Sequence, residues 1–170
     1  MMSRFCFACG LAFVLCALAD ADSKEPRFED YPADVVTHLK PAAPIFKTGG
    51  QRRFRSTIRE SLKKGVNFAG HYTIAEWGCG SGCVQMALVD AQTGDTYDGP
   101  FGALPKTHVS LVPNVEADKT GLFYHEDSSL LVVRGCPNEK DCGAYFFEWT
   151  GTQFKLLHKI PIKTPAAADH

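Results

Sequence analysis

Two cysteines that close a glycine-rich loop between strand-like segments constrain the fold more than any other feature. Residues 71–77 alternate in side-chain direction and are rich in β-branched and aromatic types, which predicts a strand. Residues 78–83 carry glycine at every second position, which suits a tight turn. Because residues 84–89 are typical of a return strand, we predict a β-hairpin whose loop is closed by a Cys79–Cys83 bridge.

The first residues have the composition of a secretory signal peptide. A short basic start, Met1 to Arg4, precedes an apolar run, Phe5 to Leu18, that is too short to span a bilayer. Ala17-Leu18-Ala19 fits the small-x-small cleavage pattern, and Ala19-Asp20-Ala21 is the second choice. We therefore predict a signal peptide over residues 1–19, a periplasmic or secreted location and no membrane span.

The remaining chain has the length and charge of one ordinary domain. Cleavage after residue 19 leaves 151 residues, with 17 basic and 19 acidic side chains. This near-neutral balance argues against a general nucleic-acid binder. We predict a mobile lead-in and linker over 20–50, a single globular β-rich domain over 51–162 and a frayed tail over 163–170.

Four cysteines remain after cleavage: Cys79, Cys83, Cys136 and Cys142. An even number in an exported chain indicates disulfides, and three connectivities are possible. Local pairing is favoured because each pair flanks a loop between predicted strands. The spacings fit neither a thioredoxin-like redox pair nor a zinc ribbon, so we expect no metal and no cofactor.

One helix and a series of short strands complete the predicted fold. Phe54, Ile58 and Leu62 recur at every fourth position within Arg52 to Lys64, which predicts an amphipathic helix. Gly65 follows as a natural helix stop. Further strands are predicted over residues 95–97, 108–112, 121–125, 129–134, 144–149 and 153–160. The expected class is β-dominated α+β: an antiparallel β-meander of about seven short strands with one N-terminal amphipathic helix.

Four segments of the chain carry a resemblance. The blocks Asn67–Tyr72 and Trp77–Cys83 resemble an uncharacterised group of exported bacterial proteins that contain the same NFAGHY and WGCGxGC blocks. Ser129–Val133, followed by Tyr145–Gly151, is similar to their C-terminal half. The likeness covers most of residues 65–160. It implies a location in the bacterial envelope or outside the cell, and it brings no activity with it.

The candidate binding residues lie on the first predicted strand and on the helix. His71 and Trp77 should share one strand face, and Tyr72 and Glu76 the other. Exposed aromatic rings beside a carboxylate would suit a sugar or a protein partner. A basic ridge of Arg55, Arg59 and Lys63 could dock an anionic partner or glycan. The simpler interpretation is that these side chains form a solvated helix face, on which a Glu60–Lys64 ion pair reduces the repulsion between like charges.

These observations favour a non-catalytic binding module of the cell envelope, with a protein or cell-wall glycan as its partner. An alternative is an envelope hydrolase that uses His71 and Glu76. Ser81 lacks the G-x-S-x-G pattern of a nucleophile elbow, and the glycine-rich loop lacks the features of a phosphate-binding loop. A third hypothesis is a purely structural module in which the central motif only shapes the hairpin.

Overall fold

The structure, a computed structural model, describes residues 25–80, 82–105 and 121–161. Their strands are β1 Tyr72–Gly78, β2 Cys83–Asp90, β3 Thr96–Asp98, β4 Leu104–Pro105, β5 Gly121–Phe123, β6 Leu130–Gly135, β7 Gly143–Trp149 and β8 Phe154–Pro161. The helices are α1 Gly49–Arg53 and α2 Arg55–Lys63, with short 3₁₀ turns at Phe28–Asp30 and Pro137–Glu139. The predicted signal peptide, the strand expected over 108–112 and the predicted tail lie outside the described residues.

The strands form two antiparallel sheets of four rather than one meander of about seven. In the first sheet β1 pairs with β2 along its whole length, from Tyr72 opposite Asp90 to Gly78 opposite Val84. Both β3 and β4 then return to the other edge of β2. The second sheet is a simple meander in the order β5-β6-β7-β8. The β-dominated class is confirmed, and the single meander is wrong because β3 and β4 share one partner strand.

The main hydrophobic core lies between the two sheets. Tyr72 and Ile74 of β1 bury their side chains there with Leu131 and Val133 of β6 and with Trp149 of β7. The aromatic residues on alternate positions of β7, Tyr145, Phe147 and Trp149, all contribute to this core. This stripe is therefore structural and does not form an open platform for a ligand.

Both outer faces of the two sheets are covered as well. Ile58 and Leu62 of α2 pack on the outer face of the first sheet, against Ala75, Ala87 and Val89. On the second sheet, Phe28 and Tyr31 cover a cluster formed by Leu130, Val132 and Phe146. The described chain is thus built in layers, and neither sheet presents an open face of aromatic residues for binding.

The structure has two short helices in place of the single one predicted. Phe54 ends α1 and precedes α2, with φ −102° and ψ 20°, and its ring stacks on Trp77. Thr48 caps α1 by a reciprocal capping box with Gln51, so that Gly49 lies inside the first turn of the helix. No helix of the described chain is long and apolar enough to cross a membrane.

Residues 25–50, predicted as part of a lead-in and linker, run along both sheets. Backbone hydrogen bonds join Ala33 to Asp127 at 2.8 Å, Val36 to Gly70 at 2.9 Å and Ala42 to Ala91 at 2.9 Å. These bonds satisfy backbone groups that would otherwise need water, and they tie this segment to the turns of both sheets. The segment also supplies Phe28 and Tyr31, which cover the outer face of the second sheet. It therefore belongs to the folded domain.

Candidate functional site

The turn that leads into β1 is held by its own side chains. The Asn67 side-chain amide donates to the Ile74 carbonyl at 3.1 Å and accepts from the Ile74 N–H at 2.7 Å, covering the outer edge of β1. Phe68 is fully buried. Gly70 has φ +83°, and a Cβ there would collide with the Asp34 carbonyl oxygen. The block that begins at Asn67 is therefore accounted for by folding alone.

His71 and Tyr72, two of the candidate binding residues, lie where β1 begins. The His71 imidazole contacts the Tyr72 ring in a tilted arrangement, with ring centroids 4.3 Å apart, and its Nε2 lies 3.8 Å from Asp90 Oδ1. The Tyr72 ring is buried and meets Trp149 edge-on. Burial raises the pKa of Tyr72. Tyr72 is therefore a core residue, and His71 borders the turn at the end of β2.

Glu76, near the other end of β1, belongs to a different environment. Its carboxylate accepts a hydrogen bond of 2.9 Å from the Tyr124 hydroxyl. Burial raises the pKa of Tyr124 well above its usual value, and the negative charge of Glu76 raises it further. His71 and Glu76 lie on opposite faces of β1 with different partners. The pair on which the hydrolase hypothesis rests is thus not brought together.

Trp77 is a candidate on β1 that reaches a concave surface. One contact fixes its ring: a stack on Phe54 with centroids 4.7 Å apart and planes inclined by 19°. A second contact fixes its edge, since the indole Nε1 donates to Gln85 Oε1 at 2.9 Å. Gln85 is the residue directly opposite Trp77 on β2. The half-buried indole is therefore held in a single orientation.

A groove of about 500 Å³ opens beside Trp77. Its floor is β2 at Gln85 and Met86, which lie between the residues paired with β3 and those paired with β4. The chain from Gly99 to Gly102 arches over this gap, and a Cβ at Gly99 would collide with the Met86 side chain. The groove is lined by Thr48, Gly50, Gln51, Trp77, Gln85, Met86, Asp98, Gly99, Pro100, Phe101, Gly102 and Asn138.

Fixed polar side chains stand on two walls of this groove. On one wall the exposed Asp98 carboxylate accepts from Gln51 Nε2 at 2.8 Å, and Gln51 is itself 2% exposed. On the other wall Asn138 Oδ1 accepts from the Gly102 N–H at 2.8 Å. Asn138 has φ +55°, a conformation that asparagine adopts more readily than most residues.

Each disulfide closes a loop that contains a groove residue or follows one closely in the chain. Cys79 pairs with Cys83 two residues beyond Trp77, with Cα atoms 5.2 Å apart. Cys136 pairs with Cys142, with Cα atoms 4.0 Å apart, and this loop carries Asn138. The local connectivity is therefore the one that the structure adopts. Its consequence is that the two loops beside the groove are each cross-linked.

A second depression of about 290 Å³ lies across the ridge formed by Asp98, Gly99 and Pro100. Tyr97 and Trp149 line it, with Gln153 and Phe154. The two depressions share the ridge residues, so an elongated ligand could contact an aromatic side chain on each side. This second depression is smaller than the groove beside Trp77, and its lining is more apolar.

The predicted basic ridge is exposed along α2 but does not face the groove beside Trp77. Arg55 donates to the Arg52 carbonyl at 3.2 Å, and the Arg59 guanidinium lies 5.2 Å from the centre of the Phe46 ring. Lys63 pairs with Glu60 at 2.7 Å. That ion pair differs from the Glu60–Lys64 pair expected from the sequence.

Of the seven candidate binding residues, only Trp77 lines the groove, and the polar residues that line it with Trp77, namely Gln85, Asp98 and Asn138, were missed. Gln85 could have been identified from the predicted Cys79–Cys83 bridge. Because these two cysteines face each other across the hairpin, the residue two positions before Cys79, Trp77, must lie opposite the residue two positions after Cys83, which is Gln85. Within the described ranges no group of three His, Cys, Asp or Glu side chains could hold a metal ion.

Comparisons with known proteins add no further assignment. No protein-family model, no curated protein and no solved structure matches the chain.

Proposed function

We propose that the protein is a non-catalytic binding module of the bacterial envelope, and that the groove beside Trp77 binds a cell-wall glycan. The observation that carries this proposal is the combination of a fixed indole with amide and carboxylate side chains around one groove. The location follows from the predicted signal peptide and from the resemblance to exported bacterial proteins.

The chemistry of the groove matches that of a sugar. A sugar ring has an apolar face that packs on an aromatic ring and a rim of hydroxyl groups that both donate and accept hydrogen bonds. Trp77 and Pro100 supply apolar surface, and Asp98, Gln85 and Asn138 supply planar polar groups. A volume of about 500 Å³ also lies within the range of about 300–1,000 Å³ found for small-molecule sites.

A polymeric glycan is favoured over a single sugar or a protein partner. The second depression continues the surface past the ridge at Gly99 and presents the half-buried rings of Tyr97 and Phe154, with the buried Trp149 beneath them. An extended chain of sugars could follow this path, whereas a protein partner usually needs a broader and flatter apolar patch. The hydrolase alternative is supported less, because His71 and Glu76 contact different partners.

The test is a binding titration with the mature protein. Co-sedimentation with purified peptidoglycan measures binding to the polymer, and chitooligosaccharides of increasing length serve as soluble probes by calorimetry. We expect saturable binding that strengthens with oligomer length. Replacing Trp77 by Ala or Asp98 by Asn should each weaken binding about tenfold, because each removes a contact of about 1.4 kcal/mol.

The control is His71→Ala, which changes a candidate residue directly before the same strand that does not line the groove. It should bind like the wild type. Equal binding by wild type, Trp77→Ala and Asp98→Asn would place the glycan elsewhere. An absence of binding to peptidoglycan and to every oligosaccharide would overturn the proposal. Turnover of the oligosaccharides would instead favour the hydrolase alternative.

A further inference from the structure

Positive charge is concentrated on the two helices. Residues 52–64 hold six of the chain's eighteen lysine and arginine residues and one acidic residue, Glu60, although the chain as a whole has a formal net charge of −1. All six cationic side chains are exposed. Such an asymmetry attracts anionic ligands to one face of the molecule.

A groove of about 520 Å³ runs between α2 and the extended segment before α1. Its apolar part consists of Pro41, Ala42, Ala43, Pro44 and Leu62. Its remaining lining residues are all cationic: Lys40, Arg59 and Lys63. The groove therefore combines an apolar floor with a rim of three positive charges, and none of its lining residues is acidic.

Two of the rim cations have geometry that leaves them available to a ligand. The Arg59 guanidinium rests on the Phe46 ring, an interaction that orients the group without neutralising its charge. Lys63 pairs with Glu60, and both side chains of this pair are more than 60% exposed. Exposed pairs of this kind contribute little free energy, so a ligand anion can compete with Glu60 for Lys63.

We infer that this second groove binds a single anionic amphiphile, with the acyl chain on the floor and the acidic headgroup between Arg59 and the rim lysines. A purely polar anion would leave the apolar surface of the prolines and alanines exposed to water, and a neutral apolar ligand would form no ion pair with the three cationic side chains. The site is separate from the groove beside Trp77, since the two share no lining residue.

Sodium dodecanoate, kept below its micellar concentration, is the probe. Calorimetry on the mature protein should give one saturable site. Butanoate, inorganic phosphate and dodecyltrimethylammonium should bind at least tenfold more weakly, because each lacks either the chain or the negative charge. Ala43→Glu places a carboxylate at an exposed position of the groove and should abolish dodecanoate binding.

Neighbouring lysines of α2 provide a matched pair of variants. Lys63→Gln and Lys64→Gln remove the same charge, but only Lys63 lines the groove. We expect Lys63→Gln and Arg59→Ala to weaken binding severalfold and Lys64→Gln to leave it unchanged.

Three results would overturn the inference. The first is the absence of saturable dodecanoate binding. The second is equal affinity for dodecanoate and dodecyltrimethylammonium. The third is binding to phosphatidylglycerol vesicles that falls equally in both lysine variants while free dodecanoate does not bind, which would make the helices a general surface for anionic membranes.

Discussion

Asn67→Ala should destabilise the protein without touching the groove. The Asn67 amide supplies two hydrogen bonds to the backbone of Ile74, whose side chain is 2% exposed. Alanine leaves the Ile74 N–H and carbonyl without these partners at the edge of β1. An unpaired buried group costs about 1–3 kcal/mol, so we expect a loss of about 3 kcal/mol for the two.

Urea unfolding with the disulfides intact measures this loss. The midpoint should fall while the slope with denaturant stays unchanged, because the surface exposed on unfolding is the same. For a domain of this size a loss of about 3 kcal/mol corresponds to a fall in Tm of about 6–12 °C. Glycan binding at a temperature where the variant is folded should match that of the wild type.

Asn138→Gly is the matched control for Asn67→Ala. It also removes an asparagine that accepts backbone N–H groups, and glycine tolerates the positive φ at this position. Because this asparagine is exposed, water can replace its bonds, and the loss of stability should stay below about 1 kcal/mol. Equal losses in the two variants, or a loss below about 1 kcal/mol for Asn67→Ala, would refute the reasoning.

Two further predictions concern a partly buried hydroxyl and a crowded turn. Tyr124→Phe loses the bond to Glu76 and should cost about 1–2 kcal/mol at pH 7. The pKa of Tyr124 is raised in the folded protein, so the free energy that its hydroxyl contributes to stability is complete below about pH 10 and declines above it. Urea titrations should therefore show that the difference in unfolding free energy between the wild type and Tyr124→Phe decreases above about pH 10. Gly70→Ala should lower the free energy of unfolding by at least about 2 kcal/mol more than Gly151→Ala does in the same assay. The two glycines have similar φ, but only at Gly70 would the added Cβ collide with the Asp34 carbonyl. Equal losses of stability in the two variants would contradict this reasoning.

The strands were predictable where side chains alternate between two buried environments. Residues 144–149 were predicted as a strand, and the structure has Gly143–Trp149. The division into two sheets was not predictable. A strand was predicted over residues 95–97, close to Thr96–Asp98, but Leu104–Pro105 has only two residues and is too short to show a period. The pairing of both strands with β2 depends on tertiary contacts rather than on local sequence.

The candidate site was predictable only in part, for a similar reason. Trp77 was identified because a large aromatic residue on a strand beside a glycine-rich loop is notable by itself. Asp98 ends the short strand β3 and Asn138 lies in the Cys136–Cys142 loop, and they face the same groove because of long-range contacts such as the bond from Gln51. Nothing in the local pattern of these loops distinguishes them from ordinary polar turns.

The side chains of the groove beside Trp77 are held in place by contacts with several separate elements of the fold. Phe54 and Gln85 hold the indole, Gln51 holds Asp98, and the Cys136–Cys142 loop holds Asn138. Gln51 also completes the capping box of α1 with Thr48, so the first turn of α1 orients a carboxylate in the groove. A ligand that meets groups already fixed in place loses little conformational entropy on binding. This coupling of the helix cap, the hairpin and the disulfide loop explains why so small a domain can present several oriented polar groups at one edge.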